Sequence, residues 1–96
     1  MIRHTVIFTL KHAHASLQEK SFLRDAKVLT EIPGVKKFEQ LKQVSPKNDY
    51  QFGFSMEFAD QAAYTAYNVH PKHVKFVKDR WEREVERFLE IDYVPV

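Results

Sequence analysis

The chain has 96 residues, which is enough for one domain and too few for two. Its formal net charge of +2 is small and its 15 Lys and Arg residues are spread out, so charge alone gives no indication of a nucleic-acid partner. The absence of cysteine excludes disulfides, a thiolate nucleophile and cysteine metal ligands.

The first residues, Met1 to His4, lack the layout of a signal peptide, and no apolar run approaches the ~20 residues of a membrane helix. We therefore expect a cytoplasmic protein without a membrane segment. Eight Phe, four Tyr and one Trp give this short chain a high aromatic content, and these rings need to be covered.

The first half of the chain predicts a strand, a helix and a second strand. Alternation from Ile2 to Leu10 predicts a strand with one largely apolar face. Ser16 followed by Glu19 is a capping-box signature, so a helix should begin there and end before Pro33. Val35 to Val44 has apolar residues three apart, as in a helix, but the turn residues on both sides favour an irregular strand.

The second half predicts a strand, two successive helices and a closing strand. Tyr50 to Phe58 alternates strictly and has one face of large apolar residues. Asp60 is the predicted N-cap of a helix that Pro71 interrupts, because proline suits the first turn of a new helix. Apolar residues continue at helical spacing from Val74 to Phe88, and Phe88 to Val94 is the predicted closing strand.

This order of elements is the split βαβ pattern of a single ferredoxin-like α+β domain covering residues 1–96. Two helices can cover only one face of a four-stranded antiparallel sheet. The strands carry more apolar surface than one face can hold, and the aromatic side of Tyr50 to Phe58 is part of it. We therefore expect a second copy of the chain to pack on the open face.

The segment from Tyr67 to His73 is the most informative for chemistry, because Tyr67, His70 and His73 lie three residues apart across the proline junction. An imidazole that titrates near neutral pH beside a phenol can form an acid–base pair. The structural alternative is that His70 caps a helix, His73 lies at the edge and Tyr67 packs in the core. Both interpretations remain open at this point.

Two further functions have weaker sequence support. A metal site would need His4, His70 and His73, but no carboxylate is spaced to complete it, so we predict no metal. RNA-recognition domains share the strand order and stack bases on third-strand aromatics, which would be Phe52 and Phe54 here. The basic residues of that motif are missing, so we predict no nucleic-acid partner.

Several segments together resemble the stress-responsive A/B barrel domain (Dabb) family over nearly the full length. The last strand of the family has a matching end, and the Tyr-x-x-His-Pro-x-His signature is complete in this chain. The segments that carry the resemblance are Ile2 to Phe8, Ile32 to Val35, Met56 to Phe58, Ala63 to Tyr67, Tyr67 to His73, and Asp92-Tyr93.

The resemblance implies a homodimer whose two sheets close a barrel, with a pocket for a small hydrophobic or aromatic ligand between each sheet and its helices. The family includes a plant polyketide cyclase that uses no cofactor, and its catalytic residues correspond to Tyr67, His73 and His4. By that analogy His73 removes a proton next to a carbonyl, while Tyr67 holds or protonates the carbonyl oxygen. We also predict that His70 and Phe8 contact the ligand.

Two functions follow as expectations. The first is a homodimeric small-molecule-binding domain associated with stress or metabolism. The second is a cofactor-free cyclase, lyase or isomerase that acts on an aromatic or polyketide-like carbonyl compound.

Overall fold

The computed structural model describes all 96 residues and contains one four-stranded antiparallel sheet with helices on one face. A short 3-10 helix (Ala26–Glu31) extends the first α-helix, and a π-helical turn (Val77–Trp81) joins the last two α-helices. The strands and α-helices in chain order are β1 (Ile2–Leu10), α1 (Leu17–Asp25), β2 (Lys36–Lys42), β3 (Phe52–Phe58), α2 (Gln61–Val69), α3 (Pro71–Phe76), α4 (Glu82–Glu84) and β4 (Val85–Tyr93).

The strand order is β2-β3-β1-β4, with β1 antiparallel to both β3 and β4. This arrangement confirms the predicted ferredoxin-like α+β fold. The register places His4 of β1 directly between Met56 of β3 and Asp92 of β4. Three residues far apart in sequence therefore lie in one row on the helix-covered face.

Polar caps begin the helices where the sequence predicts them. The Ser16 hydroxyl accepts the Glu19 backbone N–H at 3.2 Å, and the Glu19 carboxylate accepts the N–H of Ala15 rather than that of the cap. Asp60 accepts the N–H of Ala63 at 2.9 Å and so caps α2. These bonds satisfy backbone donors that have no partner within the helix.

Element boundaries differ from the prediction mainly at the end of the chain. The expected helix through Phe88 is wrong, because helix ends at Glu84 and both Val85 and Phe88 belong to β4. Apolar residues three or four apart do not show where a helix ends and a strand begins. β4 starts early because it pairs with β1 along nearly its whole length. The predicted irregularity of β2 is confirmed by the positive φ of Lys37 and the shifted register beside it.

The core lies between the sheet and the helices and is largely aromatic. Phe8 is fully buried, and its ring contacts those of Phe22, Phe54 and Trp81 at centroid distances of 5.9, 4.8 and 5.0 Å. Phe54, Met56 and Phe58 of β3 are buried beneath the helices as well. The aromatic face of β3 is therefore covered by the helices and is not the face open to a second copy, contrary to expectation. For the same reason it is not available to stack bases.

The open face of the sheet carries a narrower apolar band. Leu41, Gly53, Ile7 and Leu89 form one row across all four strands. Leu41 and Leu89 are each about half exposed, at 47%. Charged side chains lie at one end of this face. None of the helices combines the length and hydropathy of a membrane-spanning helix, and the cytoplasmic location stays a prediction.

Replacing Phe8 with alanine should test the importance of the aromatic core. We expect Phe8→Ala to lower the free energy of unfolding by about 3–5 kcal/mol, because it leaves a cavity among packed rings. Urea denaturation measures this change. Leu17→Ala, at a position that is 81% exposed, is the control and should change the free energy by less than about 0.5 kcal/mol. Similar losses in both variants would contradict this description of the core.

Candidate functional site

A cavity of about 640 Å³ lies between the helix-covered face of the sheet and the segment that runs from α3 to α4. Most of its wall is apolar or aromatic, and a few polar groups project from β1, α2, α3 and β4. The lining residues that the following argument uses are His4, Tyr67, His73, Trp81, Phe88 and Glu90.

Tyr67 and His73 lie side by side at this cavity, with ring centroids 4.4 Å apart. The His70–Pro71 junction produces this pairing because it ends α2 and starts α3 at a new angle. His70 is the C-cap of α2 and the N-cap of α3, and its Nδ1 accepts the Lys72 N–H at 3.1 Å. The structural interpretation of His70 is therefore correct.

The imidazole of His73 has one nitrogen engaged and one without a protein partner. Its Nδ1 lies 3.0 Å from the backbone oxygen of Asn68, and a carbonyl can only accept, so Nδ1–H donates and Nε2 carries the lone pair of the neutral ring. Burial lowers the pKa of His73, and the nearby His4 adds to this effect. The ring is thus held neutral, which is the form that accepts a proton.

Tyr67 offers the complementary group. Its side chain is only 2% exposed, and its hydroxyl makes no hydrogen bond within the protein. Burial raises the pKa of Tyr67, with further contributions from Tyr64 and then from the charge of Glu90. The phenol therefore stays protonated at neutral pH and can donate a hydrogen bond to a molecule in the cavity.

His4 belongs to a polar cluster on the neighbouring wall. Its Nδ1 lies 2.6 Å from Oδ1 of Asp92, and the Tyr64 hydroxyl donates to Oδ2 of the same carboxylate at 2.9 Å. Tyr64 also lies 2.9 Å from His4 Nδ1. The Asp92 carboxylate holds the proton on Nδ1, which leaves His4 Nε2 without a protein partner.

The structure brings together three of the five predicted site residues. His4, Tyr67 and His73 line the cavity, whereas His70 is occupied as a helix cap and Phe8 is sealed in the core outside the lining. His4, His70 and His73 do not form one ligand set, and no group of three or more His, Asp or Glu residues is arranged to hold a metal.

Tyr64, Asp92 and Glu90 were not predicted as site residues. Asp92 and Glu90 reach the site because β4 pairs with β1, so Asp92 lies opposite His4 and Glu90 opposite Val6. A single sequence contains no signal for this register. Tyr64 precedes Tyr67 by three residues, and helical spacing could have indicated that both phenols share one face.

The fold and the cavity together define a ferredoxin-like α+β domain with a partly open cavity between sheet and helices. The family model described as Stress responsive A/B Barrel Domain (Dabb) matches residues 2–95. The chain belongs to this family, as its segments indicated.

Solved structures agree with this assignment. A Dabb family protein with a ferredoxin-like fold from Mesorhizobium loti is 73% identical, with a TM-score of 0.98, and the match covers 99% of this chain and 96% of that chain. No curated protein sequence matches the chain.

Two more distant structures show the same fold. A hydroxynitrile lyase from Passiflora edulis is 16% identical with a TM-score of 0.83, and the match covers 99% of this chain and 93% of that one. A ferredoxin-like protein from Thermobifida fusca, described as dimeric and of unknown function, is 17% identical with a TM-score of 0.80, over 98% and 90% of the two chains. At these identities the likeness is one of fold alone.

The buried position of His73 predicts a pH dependence of stability. Its folded-state pKa lies below its ordinary value of 6.5, so the unfolded chain binds the proton more readily. The contribution of His73 to the free energy of unfolding is complete above pH 6.5 and is lost as the pH falls through the folded-state pKa.

We expect His73→Gln to lose stability less steeply than wild type over this acidic range in urea denaturation. The His73 Hε1 resonance in a proton NMR titration reports the pKa directly. A midpoint at or above 6.5 would contradict the assignment.

Proposed function

We propose that this protein is a homodimeric binding domain for a small aromatic or hydrophobic carbonyl compound, which enters the cavity beside Tyr67 and His73. The observation that carries the proposal is Tyr67, which is 2% exposed and whose hydroxyl has no hydrogen-bond partner in the protein and borders a largely apolar cavity. Because this hydroxyl is free to donate, a ligand carbonyl that accepts its hydrogen bond would gain affinity.

The size and lining of the cavity suit such a ligand. Its volume of about 640 Å³ is within the ordinary range for sites of small organic molecules. Phe54, Phe76, Trp81 and Phe88 provide flat apolar walls for an aromatic ring. The Tyr67 hydroxyl and His73 Nε2 are two polar groups at one side, which favours a ligand with a carbonyl at one end.

Ligand binding can be tested by thermal shift with 4-hydroxyacetophenone and with 1-phenylbutane-1,3-dione. We expect either compound to raise the melting temperature of wild type, and the rise to be lost in Tyr67→Phe, because that change removes only the hydroxyl donor. Tyr93→Phe, an exposed tyrosine on the opposite face, is the matched control and should keep the wild-type response.

Two results would contradict the binding function. One is the absence of any shift with either compound. The other is a shift of equal size in wild type and Tyr67→Phe, which would place the compound elsewhere.

An enzymatic function is the second candidate, and the neutral His73 ring favours it. In a proton transfer, the bond between a carbon next to the carbonyl and its hydrogen breaks, and His73 Nε2 takes the proton. The electron pair moves to the carbonyl oxygen as an enolate, which accepts a hydrogen bond from Tyr67. The family resemblance implies the same two roles.

Deuterium exchange separates the two functions. Protein-dependent exchange of the methyl protons of 4-hydroxyacetophenone in heavy water, lost in His73→Gln, would support catalysis. Binding without exchange would leave the protein as a binding domain.

The homodimer is supported by the open face of the sheet and by dimeric proteins of the same fold. The row from Leu41 to Leu89 offers apolar surface that no helix of the same chain covers. A face-to-face pairing of two such sheets would bury this row and add to the small core of a 96-residue domain.

Leu89→Glu should therefore convert the dimer to a monomer, because it places a charge in the paired apolar row. Sedimentation velocity at micromolar concentration measures the state, and circular dichroism checks that the fold is intact. Leu17→Glu makes the same change on the exposed side of α1 and should leave the dimer unaltered. A monomeric wild type would contradict the proposal.

A further inference from the structure

The cavity has a second polar side, formed by carboxylates. Glu90 of β4 lies opposite Val6 in the register, so it shares the helix-covered face with Phe88 and Asp92. Together with Glu82 and Glu86 it lines the same cavity as Tyr67 and His73. The lining therefore contains three carboxylates, although the whole chain has a formal net charge of +2.

All three glutamate side chains are exposed to solvent. Glu82, Glu86 and Glu90 make no ion pair, although Glu57, Glu84 and Asp25 all do. Glu90 also makes no side-chain hydrogen bond.

Arg87 is the one basic side chain in the lining apart from the histidines, and it is already engaged. It forms an ion pair with Asp49 and lies over the ring of Tyr50, with its guanidinium carbon 4.4 Å from the ring centre. Its guanidinium therefore binds Asp49 and forms no ion pair with the glutamates of the lining.

Glu90 also acts on the two groups that would meet the carbonyl. Burial is the main cause of the raised pKa of Tyr67, and the charge of Glu90 contributes to it. The same charge opposes the lowering of the pKa of His73 by burial. Glu90 lines the same cavity as both groups, so a ligand between them would feel its field.

We propose that Glu90 sets the charge preference of the cavity: the ligand is an aromatic carbonyl compound that also carries an amine or hydroxyl donor, and carboxylates are rejected. This inference rests on the proposed binding function and adds the class of ligand. The donor group of the ligand points to Glu90, while its carbonyl meets Tyr67 and His73. An anionic group would bring like charges together at the cavity, which is unfavourable.

Three probes with the same acetyl group test the preference. They are 4-acetylbenzylamine, 4-acetylbenzyl alcohol and 4-acetylbenzoate, which are cationic, neutral and anionic at pH 7. Titrations followed by NMR measure their dissociation constants for wild type, Glu90→Gln and Glu90→Lys. Glu39→Gln removes an exposed carboxylate of β2 that also has no ion pair and is the matched control.

We expect wild type to bind the amine most tightly and the carboxylate most weakly. Glu90→Gln should weaken binding of the amine by about tenfold, the loss typical for a hydrogen bond to a charged group, and should strengthen binding of the carboxylate. Glu90→Lys should reverse the order of these two probes. Glu39→Gln should reproduce the wild-type order.

The possible failures are distinguishable. If the probes bind wild type in a Tyr67-dependent way but Glu90→Gln and Glu90→Lys keep the wild-type order, the charge preference is overturned and the binding function stands. If none of the probes binds wild type, the binding function fails and this inference fails with it.

Discussion

The site depends on one long-range constraint, which is the pairing of the first strand with both the third and the last. β1 is a central strand of the sheet, and its neighbours are β3 from the middle of the chain and β4 from its end. This pairing places His4 next to Asp92, and the two side chains meet at 2.6 Å. Because side chains alternate along a strand, a slip of one residue would turn Asp92 and Glu90 to the opposite face and dismantle one wall of the cavity.

The second constraint is the proline junction, which gives the cavity its other wall. His70 closes one helix and opens the next, and Pro71 takes a first-turn position where it has no hydrogen bond to lose. The change in direction brings Tyr67 and His73 to a centroid distance of 4.4 Å. His70 therefore caps the two helices at the junction, while Tyr67 and His73, three residues before and after it, line the cavity.

The aromatic core and the cavity are continuous, which explains how a small domain can keep an open site. Phe8 is sealed among rings at one end, whereas Trp81 contacts both that core and the cavity. The rings fix the positions of the helices, so the cavity does not collapse onto the sheet. Around the cavity, Tyr67 and His73 are held neutral and His4 is paired with Asp92. Glu82, Glu86 and Glu90, in contrast, are exposed to solvent and make no ion pair.

The sequence by itself determined the order of elements, the caps at Ser16 and Asp60, and the proline junction between Tyr67 and His73. Local patterns indicate these features: the alternation of apolar and polar residues, the capping residues, and a proline between two helical segments. Only the tertiary structure decided that β3 buries its aromatics beneath the helices, that β4 begins at Val85, and that Tyr64, Asp92 and Glu90 join the site. The reason is that strand register and the choice of buried face come from contacts between residues up to 88 positions apart, which no local pattern encodes.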